Sequence, residues 1–241
     1  MQSGLHYFPL AAPAFLGLVL LLLLLSAFVA SRLLTFASES MGLAPHAMIA
    51  VLLLSLCGSY INIPIAYLPE RHTMSAAVVT YYGMPYVIPV MRSAPTTILA
   101  VNVGGALIPA ALSLYLILRN QIFWLAVVGT AAVALVCHLL ARPEPGIGIA
   151  EPIFVPTVTT AVVALLLSRR HAGALAYICG SLGTLVGADL LNLGRIRGLG
   201  APVASIGGAG TFDGIFVIGL LSVVYAGWFA GRTAHRSASR S

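Results

Sequence analysis

The chain contains no lysine and only six acidic residues, so that charged side chains make up 7% of its 241 residues while 60% are hydrophobic. So little charge excludes a soluble globular domain. With a mean hydropathy of +1.03, the chain reads as a polytopic membrane protein. Its net charge of +6 comes entirely from arginine. Those arginines stand at the ends of apolar runs, which marks topology, so nucleic acid is not an expected partner. Cysteine is scarce too. Cys57, Cys137 and Cys179 lie inside apolar runs with no CxxC spacing, and they read as small buried thiols instead of a disulfide framework or metal site. His138 has no second histidine at helical spacing, and Gly207-Gly208-Ala209-Gly210 lacks the lysine and following Ser/Thr of a phosphate loop. No metal, nucleotide or other cofactor is therefore expected. The first apolar run lacks a basic segment before it and reads as a retained anchor.

What the chain has in abundance is long apolar runs, at 9–30, 44–66, 95–118, 122–141, 152–167, 172–193 and 215–230. A helix needs about 20 residues to cross a bilayer. The expectation is an all-α bundle of about seven spans, forming a single integral membrane domain over 1–241. Leu18 to Leu25 is unbroken aliphatic sequence and suits a peripheral helix. Pro64 in Ile61-Asn62-Ile63-Pro64 should kink or end the second span, and the β-branched and aromatic residues around Gly83 suggest a short hairpin within 67–93. In the third run, Asn102-Val103-Gly104-Gly105 and Pro109 read as a kinked, closely packed helix, with Asn102 also a candidate site residue. The sixth run carries Gly180, Gly183, Thr184, Gly187 and Ala188 as a small-residue stripe, which predicts the most buried helix. Counting arginines across seven crossings gives seven on one side and five on the other, favouring an external N-terminus and a cytoplasmic C-terminus. No repeat relates the two halves, which argues against an inverted-repeat transporter.

Two of the six acids stand at the last two apolar runs, Asp189 near the end of one and Asp213 near the start of the next, where a carboxylate at membrane depth costs about 2.5–3.5 kcal/mol. The segment between them contains Arg195, Arg197, Pro202 and Gly207-Gly208, too irregular for a span. It reads as a re-entrant or glycine-rich loop that returns the chain to the face it left and brings both carboxylates to similar depth on neighbouring helices. Two close carboxylates ionise unequally, which supplies the acid and the base needed to activate water against an amide carbonyl. The same residue types also serve proton or cation paths. Asn102 and Asn192, the latter three residues beyond Asp189, are candidate polar neighbours. Gly208, Gly210 and Gly214 supply a turn whose backbone can approach an extended substrate. Asp213 reads alternatively as the N-cap of the last helix, and Glu151 as a first-turn partner of a helix dipole.

Gly187-Ala188-Asp189 together with Gly208-Ala209-Gly210-Thr211-Phe212-Asp213-Gly214 resembles the two-aspartate signature of the GxGD intramembrane aspartyl proteases, the class of presenilin and the type IV prepilin peptidases. In those families the second aspartate directly follows the Gly-x-Gly, whereas Thr211 and Phe212 intervene here, and no Pro-Ala-Leu motif follows. The resemblance implies that Asp189 and Asp213 are catalytic and that the substrate is a transmembrane peptide. The wider pattern, Ala100-Val101-Asn102-Val103-Gly104-Gly105-Ala106-Leu107-Ile108-Pro109 with Ser205-Ile206-Gly207-Gly208-Ala209-Gly210, is similar to an uncharacterised prokaryotic membrane family of unknown function, implying a prokaryotic cytoplasmic membrane and no particular activity. Two other classes stand beside the hydrolase: a non-enzymatic subunit or assembly factor of a larger membrane complex, and a small-solute or ion/proton-coupled transporter. Membrane lipid is a partner in all three.

Overall fold

Most of the apolar runs become helices here, while 62–68 and 97–102 become strands. The structure, a computed structural model, describes residues 12–68, 71–81, 84–94, 97–144, 148–150, 152–196, 203–208 and 214–238. Its helices are α1 (Ala12–Met41), α2 (Pro45–Gly58), α3 (Ile108–Asn120), α4 (Phe123–Leu140), α5 (Phe154–Leu167), α6 (Ala172–Thr184), the single turn α7 (Leu193–Ile196) and α8 (Gly214–Ala238). Four stretches are helical, long and apolar enough to cross a membrane: Phe15–Met41, Val103–Asn120, Phe123–Leu140 and Ala172–Arg195. Three shorter apolar helices, Pro45–Gly58, Phe154–Leu167 and Gly214–Ala230, accompany them.

The chain is mostly helical but not all-α. Strand β1 (Asn62–Leu68) pairs antiparallel with β4 (Thr97–Asn102), and β4 pairs parallel with β7 (Val203–Ile206), making a three-stranded sheet in the order β1-β4-β7. The expected second span therefore ends at Gly58, and the expected third begins as a strand. The physical reason lies in Ile61-Asn62-Ile63-Pro64-Ile65 and Thr97-Ile98-Leu99-Ala100-Val101, where β-branched residues fit a pleated ladder. Pro64 offers no helical N–H, and the ladder register shifts between Pro64 and Ala66. The hairpin foreseen in 67–93 exists but is long, with 11 residues in each of β2 (Arg71–Tyr81) and β3 (Met84–Ala94). A small pair, β5 (Arg142–Glu144) and β6 (Gly148–Ala150), follows α4.

Helix α6 forms the centre of the bundle, with twelve of its 13 residues buried. Its small residues explain how. A methyl group on Gly183 would lie 2.6 Å from Val133 Cγ1, and one on Gly129 of α4 would lie 2.4 Å from Cys179 Sγ. These successive meetings run α4 and α6 in the same direction. On the other flank, a methyl on Gly180 would sit 3.2 Å from the Cα of Gly219 in α8, while Gly173 and Gly227 both lie against Ser40 of α1. Helix α8 is thus antiparallel to α6. Close backbone approach of this kind maximises dispersion contact where lipid removes the hydrophobic drive between helices. By contrast α1 exposes Leu20 to Leu25 and buries only its last turns, at Ala37, Ser38 and Met41.

Candidate functional site

One end of the bundle carries a network of hydrogen-bonded polar side chains around Asn102. Two π turns lie there, Val103–Leu107 between β4 and α3 and Leu185–Asp189 after α6. At the first, Asn102 is 1% exposed and its amide is fully engaged. Its Oδ1 accepts from the Gly105 amide at 2.8 Å, and its Nδ2 donates to Ser59 O at 2.7 Å and to Asn62 Oδ1 at 3.1 Å. Ser205 of β7 donates to the same Asn62 oxygen at 2.6 Å, and Ser55 of α2 donates to Gly104 O at 2.8 Å. Glycine makes this convergence sterically possible. A methyl on Gly104 would fall 2.0 Å from Ser55 O, and one on Gly207 would fall 2.7 Å from the Ala106 amide nitrogen. Gly207 also has φ of +92°, a backbone conformation that a side chain disfavours.

At the second π turn the chain carries Asp189. In a continuous α-helix, Ala188 would extend the face formed by Tyr177, Ser181 and Thr184; the extra residue of a π turn hands that position to Asp189. Asp189 Oδ2 accepts a hydrogen bond from the Gly207 amide at 2.7 Å. The chain that leaves α6 at Asp189 is therefore back beside it at Gly207. Asp189 lies within Ala172–Arg195, one of the stretches long and apolar enough to cross a membrane. Asn192 is fully buried and turns back on its own chain, its Nδ2 donating to Gly187 O at 2.8 Å and Ala188 O at 3.0 Å. Those are carbonyls in the π turn, so this asparagine supports the geometry that aims Asp189.

The remaining predicted residues divide. Gly208 follows Gly207 with φ of +86°, its amide donating to Ser205 O at 3.2 Å. Gly214 opens α8 with nothing within 4 Å of where a side chain would begin. Asp213, Gly210 and Glu151 lie outside the described residues. Sequence reasoning passed over Ser55, Ser59 and Ser205 as site residues and did not place Asn62 among the candidates, although its amide stood beside the kink expected at Pro64. Asn62 between two isoleucines was the available signal, since a lone amide in an apolar run needs a partner. Among the described residues, no three His, Cys, Asp or Glu side chains form a group able to hold a metal ion.

The family model described as "Protein of unknown function (DUF1614)" matches residues 56–225, well over half of the chain. The chain belongs to the DUF1614 family. The part it shares with DUF1614 runs from the end of α2 into α8, so it contains the sheet, both π turns and both aspartates, while α1 lies outside it. No curated protein and no solved structure matches the chain.

Proposed function

We propose that this protein is a diaspartyl intramembrane hydrolase that cuts a membrane-embedded peptide, with Asp189 and Asp213 as its acid/base pair. The observation that carries the reading is the hydrogen bond from the Gly207 amide to Asp189. It ties the carboxylate that ends α6 to the turn leading, six residues later in sequence, to Asp213. The antiparallel meeting of Gly180 with Gly219 supports it further. Counting back from that crossing sets Gly214, the first residue of α8, level with Leu185, where the π turn begins. In this reading one carboxylate takes a proton from water as the water attacks the carbonyl, while the other, protonated, donates to the carbonyl oxygen or the leaving nitrogen. The Gly207-Gly208 backbone borders the substrate. A cavity of about 410 Å³ between α3, α4 and α6, lined by Phe123, Ala126, Ala134, Leu182 and by Val186 of the same π turn, offers an apolar wall for a transmembrane segment.

The topology that goes with this reading has seven crossings, by α1, α2, α3, α4, α5, α6 and α8, in the cytoplasmic membrane of a prokaryote with the N-terminus outside. A second reading, a proton- or ion-coupled transporter, draws on the break in the α6 helix at Leu185–Asp189, since broken helices line solute sites in transporters. The test uses purified protein in liposomes with single-span peptides. Cleavage should occur, and Asp189→Asn, Asp213→Asn and the double variant should lose it to a similar degree, as residues acting as one unit do. Intact peptides with aspartate-dependent ion flux would transfer the assignment to the transporter. Intact peptides without flux, from variants that still assemble, would transfer it to a non-enzymatic subunit of a membrane complex.

A further inference from the structure

The β2–β3 hairpin has two outer edges, and proline distinguishes them. Pro85 and Pro89 of β3 stand opposite Thr80 and Ala76 of β2. A residue in a hydrogen-bonded antiparallel pair must give an N–H, and proline has none. The pairs Thr80/Pro85 and Ala76/Pro89 are therefore the non-bonded ones, whose backbone groups point away from the partner strand. Because the two kinds of pair alternate, the outward positions of β3 are Pro85, Val87, Pro89, Met91 and Ser93. Those of β2 are His72, Met74, Ala76, Val78 and Thr80. The outer edge of β3 lacks two of its five donors, a familiar way to blunt an edge against pairing. The outer edge of β2 has all five, and the described sheet gives it no further strand.

The hairpin is also apolar. Between Thr73 and Met91 it contains no charged residue. Val78, Met84 and Val87 are 65%, 58% and 67% exposed. A two-stranded ribbon of this kind is marginal alone in water, and its free edge bars it from hydrocarbon. We infer that β2 pairs, antiparallel and about a two-fold axis, with β2 of a second copy of this chain, forming a four-stranded sheet in the order β3-β2-β2-β3. The outward positions are symmetric about Ala76, so that Ala76 meets Ala76, Met74 meets Val78 and His72 meets Thr80. Every outward donor then finds a carbonyl, about ten hydrogen bonds in all. The charges agree with this direction. Arg71 and His72 lie at the base of the hairpin, and antiparallel pairing puts the two bases at opposite ends of the joined strands, roughly 30 Å apart at strand rise. Two copies in one bilayer meet this way when their hairpins lie along the membrane surface, where tyrosine-rich sequence is favoured. The inference is independent of the hydrolase reading.

The test measures the mass of full-length protein in detergent and in liposomes, with disulfide trapping in a Cys57→Ser background. The expected result is a dimer, trapped through Ala76→Cys and not through Val87→Cys. Val78→Pro removes an outward donor without touching any bond inside the hairpin, so it should weaken dimerisation about tenfold or more and leave the strand signal in circular dichroism unchanged. Val87→Pro, on the blunted edge, should leave the dimer intact. A monomeric wild type whose hairpin amides are nonetheless protected from exchange would overturn the inference, as would trapping through β3. A stoichiometric complex in which β2 pairs with a different protein would overturn it in favour of that partner.

Discussion

Replacing Gly207 by alanine probes the turn on which the candidate site depends. Three effects act at that position. The backbone sits at φ of +92°, where an L side chain costs about 1–2 kcal/mol. The new methyl would lie 2.7 Å from the Ala106 nitrogen and 2.8 Å from the Gly105 carbonyl carbon. Both are main-chain atoms that cannot swing aside, and overpacking of that kind costs about 1–3 kcal/mol. Any shift that relieves the clash pulls the amide from Asp189, whose hydrogen bond, having a charged acceptor, contributes about 1.5–3 kcal/mol. The same displacement relieves the first two effects and causes the third, so they do not add; the expected loss is about 3–5 kcal/mol. For a chain of this size that is about 10 °C in melting temperature. The assay is thermal unfolding in detergent followed by tryptophan fluorescence, with Gly214→Ala beside it as control. Gly214 has open space around it, so that variant should melt within about 2 °C of the parent. If Gly207→Ala melted with the control, the turn would not be held against the Gly105-Ala106 backbone, and the account of how Asp189 is positioned would fail.

Gly104→Ala should unseat α2, because its methyl would lie 2.0 Å from Ser55 O and 2.4 Å from the Ser59 nitrogen; a loss of about 2–4 kcal/mol, with faster amide exchange at residues 59–62, is expected. Asp189→Ala leaves the Gly207 amide without an acceptor and should lower stability by about 1–3 kcal/mol, whereas Asp189→Asn keeps an oxygen in place and should melt near the parent while losing any catalysis. Asn102→Ala removes the bonds to Ser59, Asn62 and Gly105 together, so it should destabilise by about 2–4 kcal/mol, and Asn102→Asp should not rescue it, because a carboxylate cannot donate to Ser59 O.

Hydropathy and residue size, which are local properties, already determined much of this protein. The aliphatic run from Leu18 to Leu25 and the scarcity of charge gave the membrane; the glycines of 180–187 gave the most buried helix; Tyr81 and the β-branched residues around Gly83 gave the hairpin, and Asp189 stood out because carboxylates are rare in such surroundings. Other features belong only to the folded chain. Whether 61–68 and 97–102 are helix or strand is not legible in short apolar runs, whose periodicity fits either, and the strand prevails because each finds a ladder partner far away in sequence. The parallel pairing of β4 with β7 joins residues about a hundred positions apart, and the Ser205–Asn62 bond spans 143. The π turns carry no sequence mark beyond Gly104-Gly105 and Gly187. At both turns a glycine lies against a neighbouring helix, Gly104 on Ser55 and Gly187 on Ala134, contacts that only the assembled bundle supplies. The one-residue shift of the second π turn brings the Asp189 carboxylate to the amide of Gly207, a partner 18 residues away in sequence.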